Sequence, residues 1–233
     1  MIRRGGAFLA LALFALAGLP VEAERPTHDT LGEAEIPVRF RVAHIGGQPV
    51  KSAEWLAEQI ATANRVFGVT GLSFRNVGVE PLDGDHAVLD DRHDRNQLGR
   101  YLERGAVNVF VVGEMRDVDN QLEWRRGVHW RLPWQPDRHF LVLTGIAPPT
   151  TLAHELGHFF GNRAHRWVPG NIMSYEHGAA PHFDPDQERR VVSTARTLLR
   201  SRQLFTAPTF DAMVAEGRLP SFFYPPHARR PER

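Results

Sequence analysis

The chain has 233 residues, no cysteine, and 28 Lys+Arg against 27 Asp+Glu. That length suffices for one hydrophobic core. The missing cysteines exclude disulfide stapling, and the even charge balance gives no footprint for nucleic acid.

Arg3 and Arg4 precede an apolar stretch from Ala7 to Leu19, and Val21-Glu22-Ala23 sets small residues where a signal peptidase reads. Residues 1–23 are read as a secretory signal peptide cleaved after Ala23. The apolar stretch is short for a membrane span, so no stable membrane insertion is expected after cleavage. Removing residues 1–23 takes away Arg3, Arg4 and Glu22, which leaves basic and acidic side chains equal in number. The expected location is secreted or periplasmic, and an exported chain without cysteine fits a bacterial source.

After a short segment at 24–35, Ile36, Val38, Phe40 and Val42 alternate with Pro37, Arg39 and Arg41, which predicts a half-buried strand. Ser52 can cap a helix running to Phe67, with Leu56, Ile60, Ala63 and Phe67 on one face and Gly68 and Gly71 closing it. A second strand follows from Leu72 to Val79; its alternation slips at Asn76, which predicts a bulge. Residues 80–93 read as a polar loop. Asp83, Asp85, Asp90 and Asp91 invite the thought of structural Ca2+, but no spacing matches a defined calcium loop. Asp94 and Gln97 resemble a capping pair for a short helix carrying Leu98, Tyr101 and Leu102. Ala106 to Val112 is almost wholly apolar, as in a buried central strand. The stretch 114–138 holds Trp124, Trp130 and Trp134 among Arg125, Arg126, Arg131 and Arg138. Two readings stand for it: tryptophans walling substrate subsites, or a hairpin packing its own aromatics. Phe140 to Leu143 reads as another buried strand. Pro148-Pro149-Thr150-Thr151 then carries helix-start signals, and Gly161 a helix stop. Further on, Asp184-Pro185-Asp186-Gln187 predicts a capped helix burying Val191, Val192, Ala195, Leu198 and Leu199. Residues 206–233 read as a tail.

Inside the helix that starts near Thr151 stands His154-Glu155-Leu156-Gly157-His158. At ~100° per residue, side chains four apart return to within ~40° of each other, so both imidazoles share one helix face. Two histidines so placed can hold one tetrahedral metal, and a glutamate beside the first can take a proton from water next to it.

With Gly161 and Asn171-Ile172-Met173-Ser174-Tyr175 added, the chain resembles the metzincin clan of zinc endopeptidases. The pattern His-Glu-x-x-His-x-x-Gly matches in register. The family's third histidine falls three residues after the glycine, where this chain has Ala164; His165 follows one residue later. A one-residue insertion, with Asn162-Arg163-Ala164 bulging outwards, makes His165 the third ligand. Alternatively Glu176 or Glu188 completes a site of the gluzincin kind; His177 and His182 also lie near in sequence. Met173 matches the methionine beneath the metal, and Tyr175 a tyrosine that contacts zinc or the oxyanion.

The resemblance implies an α+β, metzincin-like zincin fold. A twisted, mostly parallel mixed sheet and the active-site helix would form an upper part (36–161), and a small lower part (162–205) would hold a C-terminal helix. It implies one catalytic Zn2+ held by His154, His158 and His165, a water activated for attack with Glu155 as general base, Tyr175 as oxyanion donor, and protein or peptide substrates. The missing cysteines also remove a cysteine-based latency device. A zinc-stabilised binding module for peptides or glycans is the reading from a different class.

Overall fold

The computed structural model describes residues 30–175 and 180–219. The expected signal segment 1–23, Glu176, His177 and the proline-rich end lie outside these.

In chain order the elements are β1 (Ala34–Ile45), β2 (Gln48–Pro49), α1 (Ala53–Phe67), β3 (Leu72–Leu82), β4 (Val88–Leu89), α2 (Arg92–Gln97), β5 (Val107–Val112), β6 (Glu114–Met115), β7 (Gly127–Leu132), β8 (Gln135–Thr144), α3 (Thr151–Phe159), α4 (Pro185–Arg200) and α5 (Ala207–Ala215). The main sheet runs β3-β1-β5-β8-β7, with β2 folded back on the end of β1. β3, β1, β5 and β8 are mutually parallel, and β7 is an antiparallel edge strand hairpinned onto β8. The fold is α+β on a mostly parallel mixed sheet, as the motifs implied.

Alternation along β1 sends Ile36, Val38, Phe40 and Val42 to the face covered by α1 and α3. Its opposite face is not simply solvated. Arg39 and Arg41 lie there between Glu80 and Glu103, with N–O distances of 2.5–2.9 Å. β5 is buried throughout, because helices cover one face and a second apolar layer around Phe110, Phe140, Leu98 and Leu132 covers the other. The slip in β3 is a bulge: Val38 pairs with Asn76 and Arg39 with Gly78, leaving Val77 unpaired.

α1 starts where Ser52 predicts, with its hydroxyl accepting from Trp55 N. α2 starts earlier than predicted. Asp91 is the cap and Asp94 its reciprocal partner, so Asp94 closes the box instead of opening it. Asp83 similarly caps a turn at Asp85, so these acids serve the backbone. The stretch from 206 is not wholly a tail: Phe205 and Phe210 pack on Ala106, and Asp211 pairs with Arg75 at 2.6 Å. No helix among the described residues is long and apolar enough to cross a membrane.

Candidate metal centre and cleft

α3 is buried along nearly its whole length, and Gln59 of α1 fixes where it begins. The Gln59 amide donates to Pro148 O (2.9 Å) and accepts from Leu152 N (3.0 Å). One side chain thus ties the preceding loop to a backbone N–H in the first turn, which has no partner within the helix. At the other end Gly161 turns the chain at φ +100°, and a Cβ there would come within 2.6 Å of Thr194 Oγ1. The returning segment brings His165 back over α3.

His154, His158 and His165 form one cluster. Nε2 of His165 lies 3.2 Å from that of His154 and 3.3 Å from that of His158. Each Nδ1 is engaged on the far side of its ring: His154 with Ile172 O (2.7 Å), His158 with Asn162 O (2.7 Å), His165 with the Tyr175 hydroxyl (3.3 Å). A carbonyl can only accept, so the protons of His154 and His158 sit on Nδ1, and their Nε2 lone pairs point inward. Nitrogens bound tetrahedrally at ~2.05 Å from zinc lie ~3.3 Å from each other, so this donor set fits that ion. Burial holds His158 down at about 4 despite its bond to Asn162, and burial followed by the charge of Arg125 also lowers His165. Both rings therefore stay neutral at pH 7, the form a metal requires.

The one-residue shift before His165 is accommodated differently from the predicted outward bulge. Asn162 turns inward and is buried; only Arg163 and Ala164 face solvent. Asn162 spends its polar groups on the site's surroundings, accepting from His158 and donating to Gln187 O at 3.3 Å. Glu188, in the first turn of α4, does not join the histidine cluster, nor does His182. Among the described residues, then, His165 is the side chain that completes it.

Met173 is fully buried, its sulfur lying where a Cβ on Gly157 would be 2.3 Å away. The turn that carries it is held by paired amides. Asn171 donates to Gln187 Oε1 (2.8 Å) and accepts from Gln187 Nε2 (3.1 Å), while its Oδ1 also takes Met173 N (2.9 Å). Gln187 closes the predicted capping box with Asp184 as well. One helix cap thereby sets the height of the methionine and of the Ile172 carbonyl that orients His154. Tyr175 is half exposed, its ring 4.5 Å from that of His165.

Glu155 is buried against the edge strand. Gly127 of β7 sits so close that a Cβ would be 2.9 Å from Glu155 Oε1 and 2.6 Å from Thr151 Cγ2. Burial pushes the Glu155 carboxyl up to about 8, partly offset by the His129 backbone N–H. The glutamate and the histidines open into a cleft of about 990 Å3 between β7 and the 163–175 segment. Its wall includes Trp124, but not Trp130 or Trp134. Alternation along β7 explains the split: 127, 129 and 131 face α3, whereas 128 and 130 face the opposite layer. There Trp130 donates to Asn96 Oδ1 (2.9 Å) and stacks under Arg95. Trp134 sits exposed at the turn between β7 and β8. The subsite reading survives for Trp124 alone.

Sequence reasoning missed a half-buried histidine pair beside the cleft. His129 Nε2 and His139 Nδ1 lie 2.7 Å apart, with His139 stacked on Phe159. Burial drives His129 down to about 2 and His139 to about 3, so both are neutral.

No family model matches the sequence, and no curated protein matches it. Solved structures match by fold. A structure of mirolysin in complex with compound 9 superposes at TM-score 0.53 with 13% identity, over 74% of this chain and 94% of that one. A promirolysin mutant from Tannerella forsythia gives 0.51 and 10%, over 80% and 86%. Metalloproteinase-II from Bacteroides fragilis gives 0.49 and 16% over 72% of this chain, which spans only 55% of that protein. At these identities the likeness is one of fold: this chain has the fold of metzincin-type metalloproteinases.

Proposed function

We propose that the chain is an exported zinc-dependent endopeptidase with His154, His158 and His165 as metal ligands and Glu155 as general base. The observation that carries the reading is the convergence of three Nε2 atoms at tetrahedral spacing, with their Nδ1 atoms already engaged. A bound zinc ion supplies Lewis acidity for a scissile carbonyl and makes water ionise near pH 7.

The chain's own groups do the rest. The outer edge of β7 has no strand partner among the described residues, so an extended peptide can add to it as a further strand and lie across the histidine cluster. Glu155, hydrogen-bonded by the β7 backbone and enclosed by Gly127 and Thr151, takes the proton of the attacking water and hands it to the departing amine. Tyr175 presents a hydroxyl on the cleft wall for the oxyanion. That hydroxyl also meets Nδ1 of His165, so it orients the third ligand when no substrate is present. Met173 packs beneath the ligands as a floor. Export rests on Arg3-Arg4, the apolar run and Ala23. A mature N-terminus at Glu24, read by mass spectrometry after expression in a bacterium, supports it, and an intact Met1 contradicts it.

The test of the metal site is a zinc titration. The wild-type chain should bind one zinc ion, Glu155→Gln should bind it too while losing turnover, and His165→Ala should bind it far more weakly. Unchanged affinity in His165→Ala would remove His165 from the site.

A further inference from the structure

We propose that Arg131 and Arg163 form a subsite for a carboxylate of the substrate, supplied by an aspartate or glutamate side chain close to the cleaved bond. The inference rests on the peptidase reading above and names its substrate class.

The charge of the cleft carries it. Two carboxylates line the cleft, and neither is available to a ligand. Asp117 is held by Arg125 at 2.6 Å, and Glu155 is enclosed beneath the histidines. Against them stand Arg95, Arg125, Arg126, Arg131 and Arg163. Arg95 is buried and spent on Arg116 O and the Trp130 ring, and Arg125 on Asp117. Positive charge is therefore left over on the wall.

It falls on Arg126, Arg131 and Arg163. Arg131 and Arg163 come from different elements, the end of β7 and the segment after α3, yet line the same cleft, and after partial burial the charge of Arg163 also lowers Arg131. Among the described residues neither pairs with a carboxylate; Arg131 has only the Pro136 carbonyl, at 3.0 Å. Two unpaired like charges on one cleft wall cost stability, and an anion that joins them relieves that cost. A carboxylate accepts from both guanidinium groups, a geometry Arg is well shaped to supply.

Position follows from the strand. Arg131 is four residues from Gly127, which abuts Glu155, and shares its face. At ~3.3 Å per residue that is about 13 Å along the edge, shortened by the reach of an arginine side chain. A substrate strand lying on β7 thus places the acidic residue roughly two or three positions from the cut bond, on one side only.

The experiment uses the zinc-loaded full chain, a mixed peptide library with amidated C-termini, and product sequencing by mass spectrometry. Wild type should favour Asp or Glu at one fixed position, by roughly ten- to a hundredfold over Asn or Gln, as a charge-assisted hydrogen bond gives. Arg131→Glu/Arg163→Glu should lose that preference and turn towards Lys or Arg. Both side chains are exposed; the milder Arg131→Gln/Arg163→Gln should flatten the preference without reversing it. Glu155-dependent cleavage with no acidic preference, or with one unchanged in the reversed variant, overturns the subsite and leaves the peptidase standing. A preference absent from this library but present in a matched one with free C-terminal carboxylates overturns the side-chain assignment. If nothing is cleaved, binding decides. Acidic peptides that bind Glu155→Ala more tightly than their amide counterparts, and lose that advantage on charge reversal, sustain the subsite while the peptidase reading falls. Equal binding overturns both.

Discussion

Replacing Gly157 by alanine probes how the methionine turn sits beneath the histidine-bearing helix α3. An added Cβ would lie 2.3 Å from Met173 Sδ and 3.4 Å from Phe183 Cε1. Ordinary contact needs ~3.5–4.0 Å, so something must move by more than an ångström. Methionine is adaptable, but Met173 is fully buried and its backbone N–H is tied to Asn171 Oδ1. Overpacking of this kind costs up to about 3 kcal/mol, while alanine recovers about 1 kcal/mol of helix propensity over glycine. The net loss is therefore about 2 kcal/mol, or roughly 4–8 °C in Tm for a chain of this size. Thermal unfolding of Gly157→Ala, Met173→Ala and the double variant measures it. The double variant should be less destabilised than the sum of the singles by at least about 1 kcal/mol, because removing the thioether removes the clash. Zinc affinity should fall in Gly157→Ala too, since the same turn supplies the Ile172 carbonyl that holds His154. A Tm unchanged or raised in Gly157→Ala, with additive singles, would refute close packing of the turn on this helix.

Three further outcomes are expected. Asn171→Ala and Gln187→Ala each leave a buried amide half-satisfied and should cost about 1–3 kcal/mol, with a double variant well short of the sum in denaturant titration. Additive losses would mean the two amides act separately. Tyr175→Phe should slow turnover and weaken zinc modestly, read by kcat and by competitive metal titration; full activity would remove both roles. For metal-free protein, Glu155 is held near 8 when folded against an ordinary 4.5. Between those values the unfolded chain has released a proton that the fold still keeps, so stability should fall as pH rises from about 4.5 to about 8, by up to ~1.4 kcal/mol per unit. Glu155→Gln should flatten that slope. An identical slope in the variant would show that Glu155 titrates normally.

Features governed by local chemistry were legible in the sequence. The caps at Ser52 and Asp184, the alternation in β1, the buried run in β5 and the slip in β3 each follow from a few adjacent residues. The histidine motif is legible for the same reason, since four-residue spacing on a helix fixes a shared face. What sequence could not settle depended on register or on competing caps. Asp91 and Asp94 both qualify as caps, and the paired β4 and β6 strands decide where α2 begins. Trp130 and Arg131 are neighbours in sequence, yet strand parity sends one to the apolar layer and the other to the cleft. His129 and His139 meet only because β7 pairs with β8 in one register, Arg131 opposite His139. Asn162 looked like part of an outward bulge, but its inward turn supplies the carbonyl for His158 Nδ1 and a donor to α4. α5 shows no marked alternation of apolar residues, and only its contacts with Ala106 and β1 reveal it.

Whether these residues hydrolyse peptide bonds with zinc is read from cleavage of an unbiased peptide mixture by the zinc-loaded chain. Defined products should form, disappear in Glu155→Ala and after zinc chelation, and return when zinc is restored to wild type. Products that persist in Glu155→Ala, or no products from a folded chain carrying one zinc ion, would contradict the peptidase reading.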